Sequence, residues 1–176
     1  MTVKVTGMKE RQALHEGIDW PQKRFIRLRV NGRLQEGFVD PRKLLVDYLR
    51  EDLGLTGTHV GCEHGVCGSC NVLFNGRPIR SCLMFAVQAD GAEVVTIEGI
   101  SQQGRLNEVQ EALVEEHGLQ CGFCTAGIVL MAMDLLSQNP SPTDWEIREA
   151  LSGQLCRCTG YESIVRAVLR AAKSRG

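Results

Sequence analysis

From Phe25 the chain alternates: FIRLRV sets apolar residues between basic ones, Asn31-Gly32 follows, and LQEGFV resumes an extended pattern. Period-two alternation on both sides of Asn-Gly predicts two strands joined by a tight hairpin. Asp40-Pro41 then offers an N-cap and a first-turn proline, and Leu44, Leu45, Tyr48 and Leu49 share one face of a helix that Gly54 is placed to end. Beyond a loop rich in glycine and cysteine, NVLF, Asn75-Gly76 and the segment Pro78 to Arg80 predict a second hairpin, and EVVTI near residue 95 a fifth strand. Hairpin, helix, hairpin and late strand make a small α+β unit.

The periodicity changes from about Arg105. Leu106, Val109, Gln110, Leu113 and Val114 have helical spacing, with Gly118 as a C-terminal stop. Thr125 to Ser137 reads as a mostly buried helix, and Asn139-Pro140-Ser141-Pro142 as a turn. Thr143 with Glu146 forms a capping box that opens a helix running through Leu151. Tyr161 to Lys173 supplies a last helix with Ile164, Val165, Val168 and Leu169 inward. The expectation is a bundle of about four short helices. The organisation read from these patterns is an N-terminal extension over 1–23, a first domain over 24–100 and a second over 101–176.

Composition narrows the class. The chain has 176 residues, 43% of them hydrophobic, and a formal net charge of -1, so neither nucleic acid nor an anionic membrane is indicated as a partner. Residues 1–23 mix charges without the apolar segment of a secretory signal, and the apolar stretch from Ala126 to Met133 stops at Asp134, too short for membrane insertion. A cytoplasmic location is expected. There, the eight cysteines would bind metal or carry electrons rather than form disulfides.

The cysteines fall into two sets of four. Cys62, Cys67, Cys70 and the more distant Cys82 follow C-x4-C-x2-C…C, the spacing of plant-type ferredoxins, in which a tight loop delivers three thiolates to a [2Fe–2S] cluster from one side. Gly61, Gly65 and Gly68 permit backbone turns that aim amides at sulfur. Cys62-Glu63-His64 resembles half of a Rieske site, but Cys67-Gly68-Ser69-Cys70 lacks the second histidine. His64, and with it His15, His59 and His117, therefore reads as an ordinary loop residue. The second set is Cys121-x2-Cys124 and Cys156-x-Cys158. By spacing alone, either an all-thiolate zinc ion or a second cluster fits it.

Taken together, GCEHGVCGSC at 61–70, RSC at 80–82, QCGFCTAG at 120–127 and LCRCTGY at 155–161 resemble the small iron–sulfur subunit of molybdenum hydroxylases, the xanthine oxidase and aerobic carbon monoxide dehydrogenase family. All eight cysteines match in order and spacing, over about residues 24–172. The resemblance implies an α+β chain: a β-grasp ferredoxin-like domain, then an all-α four-helix bundle, each with one [2Fe–2S] cluster. It implies that Cys62, Cys67, Cys70 and Cys82 bind the cluster nearer flavin, and that Cys121, Cys124, Cys156 and Cys158 bind the one nearer molybdenum. By the same resemblance Gln120 contacts the pterin of the molybdenum cofactor, with Cys158 close to it on the electron entry path. Many relatives carry proline where this chain has Ala126; either suits a first helical turn. Residues 1–23 match nothing in the family.

The function so implied is an electron-transfer subunit with no substrate-oxidising site of its own. Single electrons would run from a molybdopterin site on a large subunit, through two clusters here, to FAD on a medium subunit, in a dimer of heterotrimers. A free-standing ferredoxin is a rival, although a net charge of -1 gives no support to an acidic docking face. A zinc-stapled interaction module is another, and would be colourless.

Overall fold

The computed structural model describes residues 22–101 and 104–174. Of the expected N-terminal extension, residues 1–21 lie outside the described residues.

Two hairpins and one further strand make a mixed five-stranded sheet. Strands β1 (Arg24–Val30) and β2 (Arg33–Val39) pair antiparallel around Asn31 and Gly32, whose φ angles of 52° and 76° give the mirror-image turn that strand twist prefers. The Asn31 side chain also donates to Thr96 Oγ1 and accepts from Thr96 N, both at 2.9 Å, tying this turn to the end of the sheet. Strands β3 (Asn71–Phe74) and β4 (Arg77–Arg80) repeat the device at Asn75 and Gly76, with φ of 48° and 80°. Strand β5 (Glu93–Val95) runs parallel to β1 and antiparallel to β3, giving the order β2-β1-β5-β3-β4. Along β1 the inward residues Ile26, Leu28 and Val30 are buried while Phe25, Arg27 and Arg29 face out, as period-two alternation requires.

Helix α1 covers the inner face of the sheet. It begins α-helical at Leu45–Asp47 and continues as a wider π-helical turn over Tyr48–Asp52. Leu45, Tyr48 and Leu49 pack with Ile26, Leu28, Val72 and Val94 in one core. The expected cap at Asp40-Pro41 is corrected here. Asp40 closes a local turn, accepting from Arg42 N at 2.8 Å through its side chain and from Lys43 N at 2.9 Å through its carbonyl. A short acidic side chain bonds its own nearby backbone readily, so the helix starts only after the extended Leu44. Gly54 does end the helix, at φ 68°.

Four helices follow: α2 (Glu108–Glu115), α3 (Thr125–Gln138), α4 (Asp144–Ala150) and α5 (Glu162–Ser174). Their apolar faces meet in a second core of Val109, Leu113, Ile128, Leu136, Ile147 and Ile164 with their neighbours. Leu106 lies before α2 and Val114 on its outer side, against expectation, because Asn107 caps the helix by accepting from Gln110 N at 2.8 Å. The stop also shifts by one residue. His117, at φ 52°, takes the left-handed position, and Gly118 follows, its N–H bonded to Leu113 O at 2.7 Å. Glycine also leaves space there, since a Cβ would stand 2.7 Å from Leu113 Cδ2 and make that buried side chain shift. The Thr143–Glu146 capping box opens α4 as expected. In α5, Ile164, Val165 and Val168 are buried and Leu169 is half-buried. Among the described residues no helix is long and apolar enough to cross a membrane.

Candidate metal centres

The loop from Gly61 to Cys70 forms neither helix nor strand, and its path is dictated by left-handed residues: Glu63 at φ 58°, Gly65 at 82° and Gly68 at 79°. Gly61 serves differently, because its Cβ would crowd Cys67 Sγ at 3.2 Å and the Phe123 ring at 3.3 Å. Within this loop the Cys67 amide points at Cys62 Sγ, 3.4 Å away. That amide and the backbone at His64 draw the Cys62 thiol down to about 6. Cys70 and Cys82 are buried, at 2% and 3% exposure. Burial, and then the adjoining Cys70 thiol, push Cys82 up to about 11. Cys82 arrives directly from β4, and Ser81 fastens that turn by donating to Cys70 O at 2.6 Å.

In the second set Cys124 stands at the N-terminus of α3, while Cys156 and Cys158 lie in the loop between α4 and α5. Gly122 at φ 81° turns the chain between Cys121 and Cys124; Gly160 and Tyr161, at 67° and 70°, turn it after Cys158. Cys121 and Cys158 are exposed with their sulfurs 3.5 Å apart. Cys124 and Cys156 are half-buried and paired through their thiols. Burial and then Cys156 drive Cys124 up to about 12. Burial opposes ionisation of Cys156 too, but the Thr159 hydroxyl, 3.1 Å from its sulfur, and the loop amides bring it below the ordinary thiol range. The Tyr161 hydroxyl accepts from Cys156 N at 2.8 Å and fixes the loop. Gln120 is exposed and donates to Cys158 O at 3.2 Å.

The donors fit two-iron clusters. Each set consists of two neighbouring pairs, Cys62 with Cys67 and Cys70 with Cys82, then Cys121 with Cys158 and Cys124 with Cys156. Paired thiols are what a [2Fe–2S] cluster takes, two to each iron. Iron would also remove the protons that burial keeps on Cys82 and Cys124, since a bound cation deprotonates a ligating thiol.

The two sets are joined by contacts that the sequence reading missed. Leu155 N donates to Cys67 O at 2.8 Å, linking a residue beside Cys156 directly to a residue of the first set. Arg80 Nε donates to Gly65 O at 3.2 Å, Nη2 to Gly153 O at 2.7 Å, and Nη1 to Asn71 Oδ1. With its amide oxygen facing donors, the buried Gln154 accepts from Asn71 Nδ2 at 2.9 Å and Arg80 Nη1 at 3.2 Å, and donates to Gly68 O at 3.3 Å. His59 is a correction: it stacks on Phe123 with centroids 4.7 Å apart and Nδ1 2.8 Å from Phe123 O, so it is an inter-loop brace. His64 turns back onto the Cys62 carbonyl. His15 lies outside the described residues. Of these contacts only Arg80 left a signal in the sequence, as the first residue of RSC.

Known proteins bear on this geometry in two stages. Residues 28–94 match the family described as 2Fe-2S iron-sulfur cluster binding domain, and residues 96–169 the [2Fe-2S] binding domain. Two iron–sulfur domains in tandem thus define the class. The chain is 55% identical over 146 residues to the nicotine 6-hydroxylase small subunit of Paenarthrobacter nicotinovorans, covering 83% of this chain and 88% of that one. It is 53% identical to caffeine dehydrogenase subunit gamma of Pseudomonas sp. (strain CBB1), covering 81% and 87%. The structure of quinoline 2-oxidoreductase from Pseudomonas putida 86 superposes with a TM-score of 0.85 at 49% identity, over 89% of this chain and 99% of that one. The chain belongs to the small iron–sulfur subunits of molybdenum hydroxylases and dehydrogenases.

Proposed function

We propose that this chain relays single electrons from a molybdopterin site on a large partner subunit to FAD on a medium one, and oxidises no substrate itself. The observation that carries the reading is the hydrogen bond from Leu155 N to Cys67 O, which joins the two cysteine sets by a short path. Two [2Fe–2S] clusters would be held, one by Cys62, Cys67, Cys70 and Cys82 and the other by Cys121, Cys124, Cys156 and Cys158. When bound, such clusters accept and release one electron at a time. The chain's own residues do the rest: thiolates anchor, Gly65 and Gly68 shape the loop, and the Cys67 amide, aimed at Cys62 Sγ, favours added negative charge there.

We read residues 24–100 as a β-grasp ferredoxin-like domain and 101–176 as a four-helix-bundle domain, in keeping with the separate cores of the sheet and the helices. Exposure supports the direction of flow. Cys121, Cys158 and Gln120 reach the surface together, which suits contact with the pterin of the large subunit. Val66, Leu83 and Phe85 expose apolar surface around the first set, which suits docking of the FAD subunit. The assembly would be a cytoplasmic dimer of heterotrimers. Nicotine, caffeine and quinoline, named in the relatives, are nitrogen heteroaromatics, and they support that substrate class for the whole enzyme; selection would lie in the molybdenum subunit.

The test is iron, acid-labile sulfide and zinc content with EPR of the dithionite-reduced protein. About four irons and four sulfides with two distinguishable [2Fe–2S] signals are expected; about two irons and one zinc would overturn the relay. For Gln120, replacement by alanine removes the bond to Cys158 O. Both clusters should persist while activity of the assembled enzyme falls about tenfold or more, as for other groups that orient a cofactor's ligands. Unchanged turnover would remove Gln120 from the pterin contact.

A further inference from the structure

Arg80 is a cation in an unusual place. Its guanidinium is partly buried, and among the described residues no carboxylate pairs with it; its partners are the carbonyls of Gly65 and Gly153 and the side chains of Asn71 and Gln154. Asn71 and Gln154 are buried, at 1% and 2% exposure. Each of the four partners belongs to a cysteine-bearing segment: Gly65 lies between Cys62 and Cys67, Asn71 follows Cys70, and Gly153 and Gln154 precede Cys156. Arg80 itself is two residues from Cys82. Withdrawing a charge partly from water without a counter-ion costs free energy unless something else compensates it, and neutral dipoles hold this one.

We propose that Arg80 is the countercharge for the electron on the Cys62–Cys82 cluster, held between the two cysteine sets so that reduction there is favoured over the Cys121–Cys158 set. The inference rests on the two-cluster reading above. The step it assists is balanced: one electron leaves the cluster of Cys121, Cys124, Cys156 and Cys158, which is oxidised by one, and arrives on the other, which is reduced by one, with no proton moved. The receiving cluster gains a negative charge, and a fixed cation beside it lowers the energy of that state. Of the four guanidinium contacts, those to Gly65 and Asn71 lead to the first set and those to Gly153 and Gln154 to the second, but Arg80 itself stands two residues from Cys82, a ligand of the first set, so the effect is larger there. Arg157, beside Cys156 and Cys158, is exposed, and water and salt screen its charge.

Arg80→Met and Arg80→Lys in the assembled enzyme test this by EPR-monitored redox titration. A unit charge acting across a partly buried site alters a one-electron equilibrium by about tenfold. Arg80→Met should therefore make reduction of the Cys62–Cys82 cluster about tenfold less favourable, a fall of about 59 mV, with a smaller shift at the other cluster. Arg80→Lys, which keeps the charge and loses the fork, should stay within about twofold of wild type. An unmoved potential in Arg80→Met overturns the proposal, and so do equal shifts in both variants, which would make the fork and not the charge responsible. If Arg80→Met assembles fewer than two clusters, Arg80→Gln serves as the neutral variant. Cluster loss in both neutral variants overturns the proposal too, because Arg80 is then a structural brace. A wild-type enzyme lacking two [2Fe–2S] signals would sink the relay itself; two signals with an unmoved Arg80→Met potential sink the countercharge alone.

Discussion

Replacing Cys124 by serine is expected to halve the iron, from about four to about two per chain, and to abolish one of the two EPR signals. The Cys124 thiol sits half-buried at the start of α3 against Cys156, and burial there already drives its proton affinity up to about 12. Iron can displace a proton from such a thiol because the metal–thiolate bond is strong. A serine hydroxyl is a far weaker acid in the same place, so it would remain neutral and fail as a ligand. The Cys62–Cys82 set stands on the sheet, with its own core and its own loop glycines, and its signal should persist. Electron flow from the molybdenum subunit should stop while the remaining cluster still accepts electrons from dithionite. Loss of both signals would mean that the two halves cannot fold around their metals independently.

The parts of this architecture that were legible in the sequence are those with local causes. A tight two-residue hairpin requires positive φ at both turn positions, and Asn-Gly at residues 31–32 and 75–76 accepts it with little strain. Thr143 and Glu146 are three residues apart and satisfy each other's backbone. Cysteine spacing is likewise local, and a loop of ten residues, Gly61 to Cys70, carries three of the thiols. Asp40 misled because the same carboxylate can cap a helix or close its own turn, and nothing in the neighbouring residues decides between them. The capping pair Asn107 and Gln110 was legible in principle, yet the apolar spacing beginning at Leu106 masked it. The joint between the cysteine sets had no local signal. Arg80 and Gly153 are 73 residues apart, and His59 and Phe123 are 64 apart. Such partners share no period, and only the packing of α3 against β3 and β4 brings them together.

That packing yields the other large effect. Gly127, in the first turn of α3, is buried against the carbonyl of Gly68, and any Cβ at residue 127 would occupy the space of that oxygen, with the Gln154 side-chain amide a further 3.3 Å contact. The obstacle is backbone against backbone, so no side-chain rotation relieves it. Gly127→Val must therefore push α3 away from the first cysteine loop. Moving it strains the bond from Asn71 Nδ2 to Gly127 O, 3.5 Å long, and the 2.8 Å bond from Leu155 to Cys67 across the same joint. Overpacking of this kind costs about 1–3 kcal/mol or more, which for a chain of this size lowers Tm by several degrees. Gly37→Ala is the matched control: residue 37 lies in β2 with open space around its Cβ position and an ordinary φ, so its Tm should scarcely change. Both cysteine sets keep their own loops in Gly127→Val, so two clusters should still assemble. What should fail is their communication, read as slower transfer between clusters in rapid-mixing experiments and weaker magnetic interaction between the two reduced signals. A Gly127→Val protein with unchanged Tm and unchanged transfer would show that the close approach of α3 to Gly68 does not set the contact between the two centres.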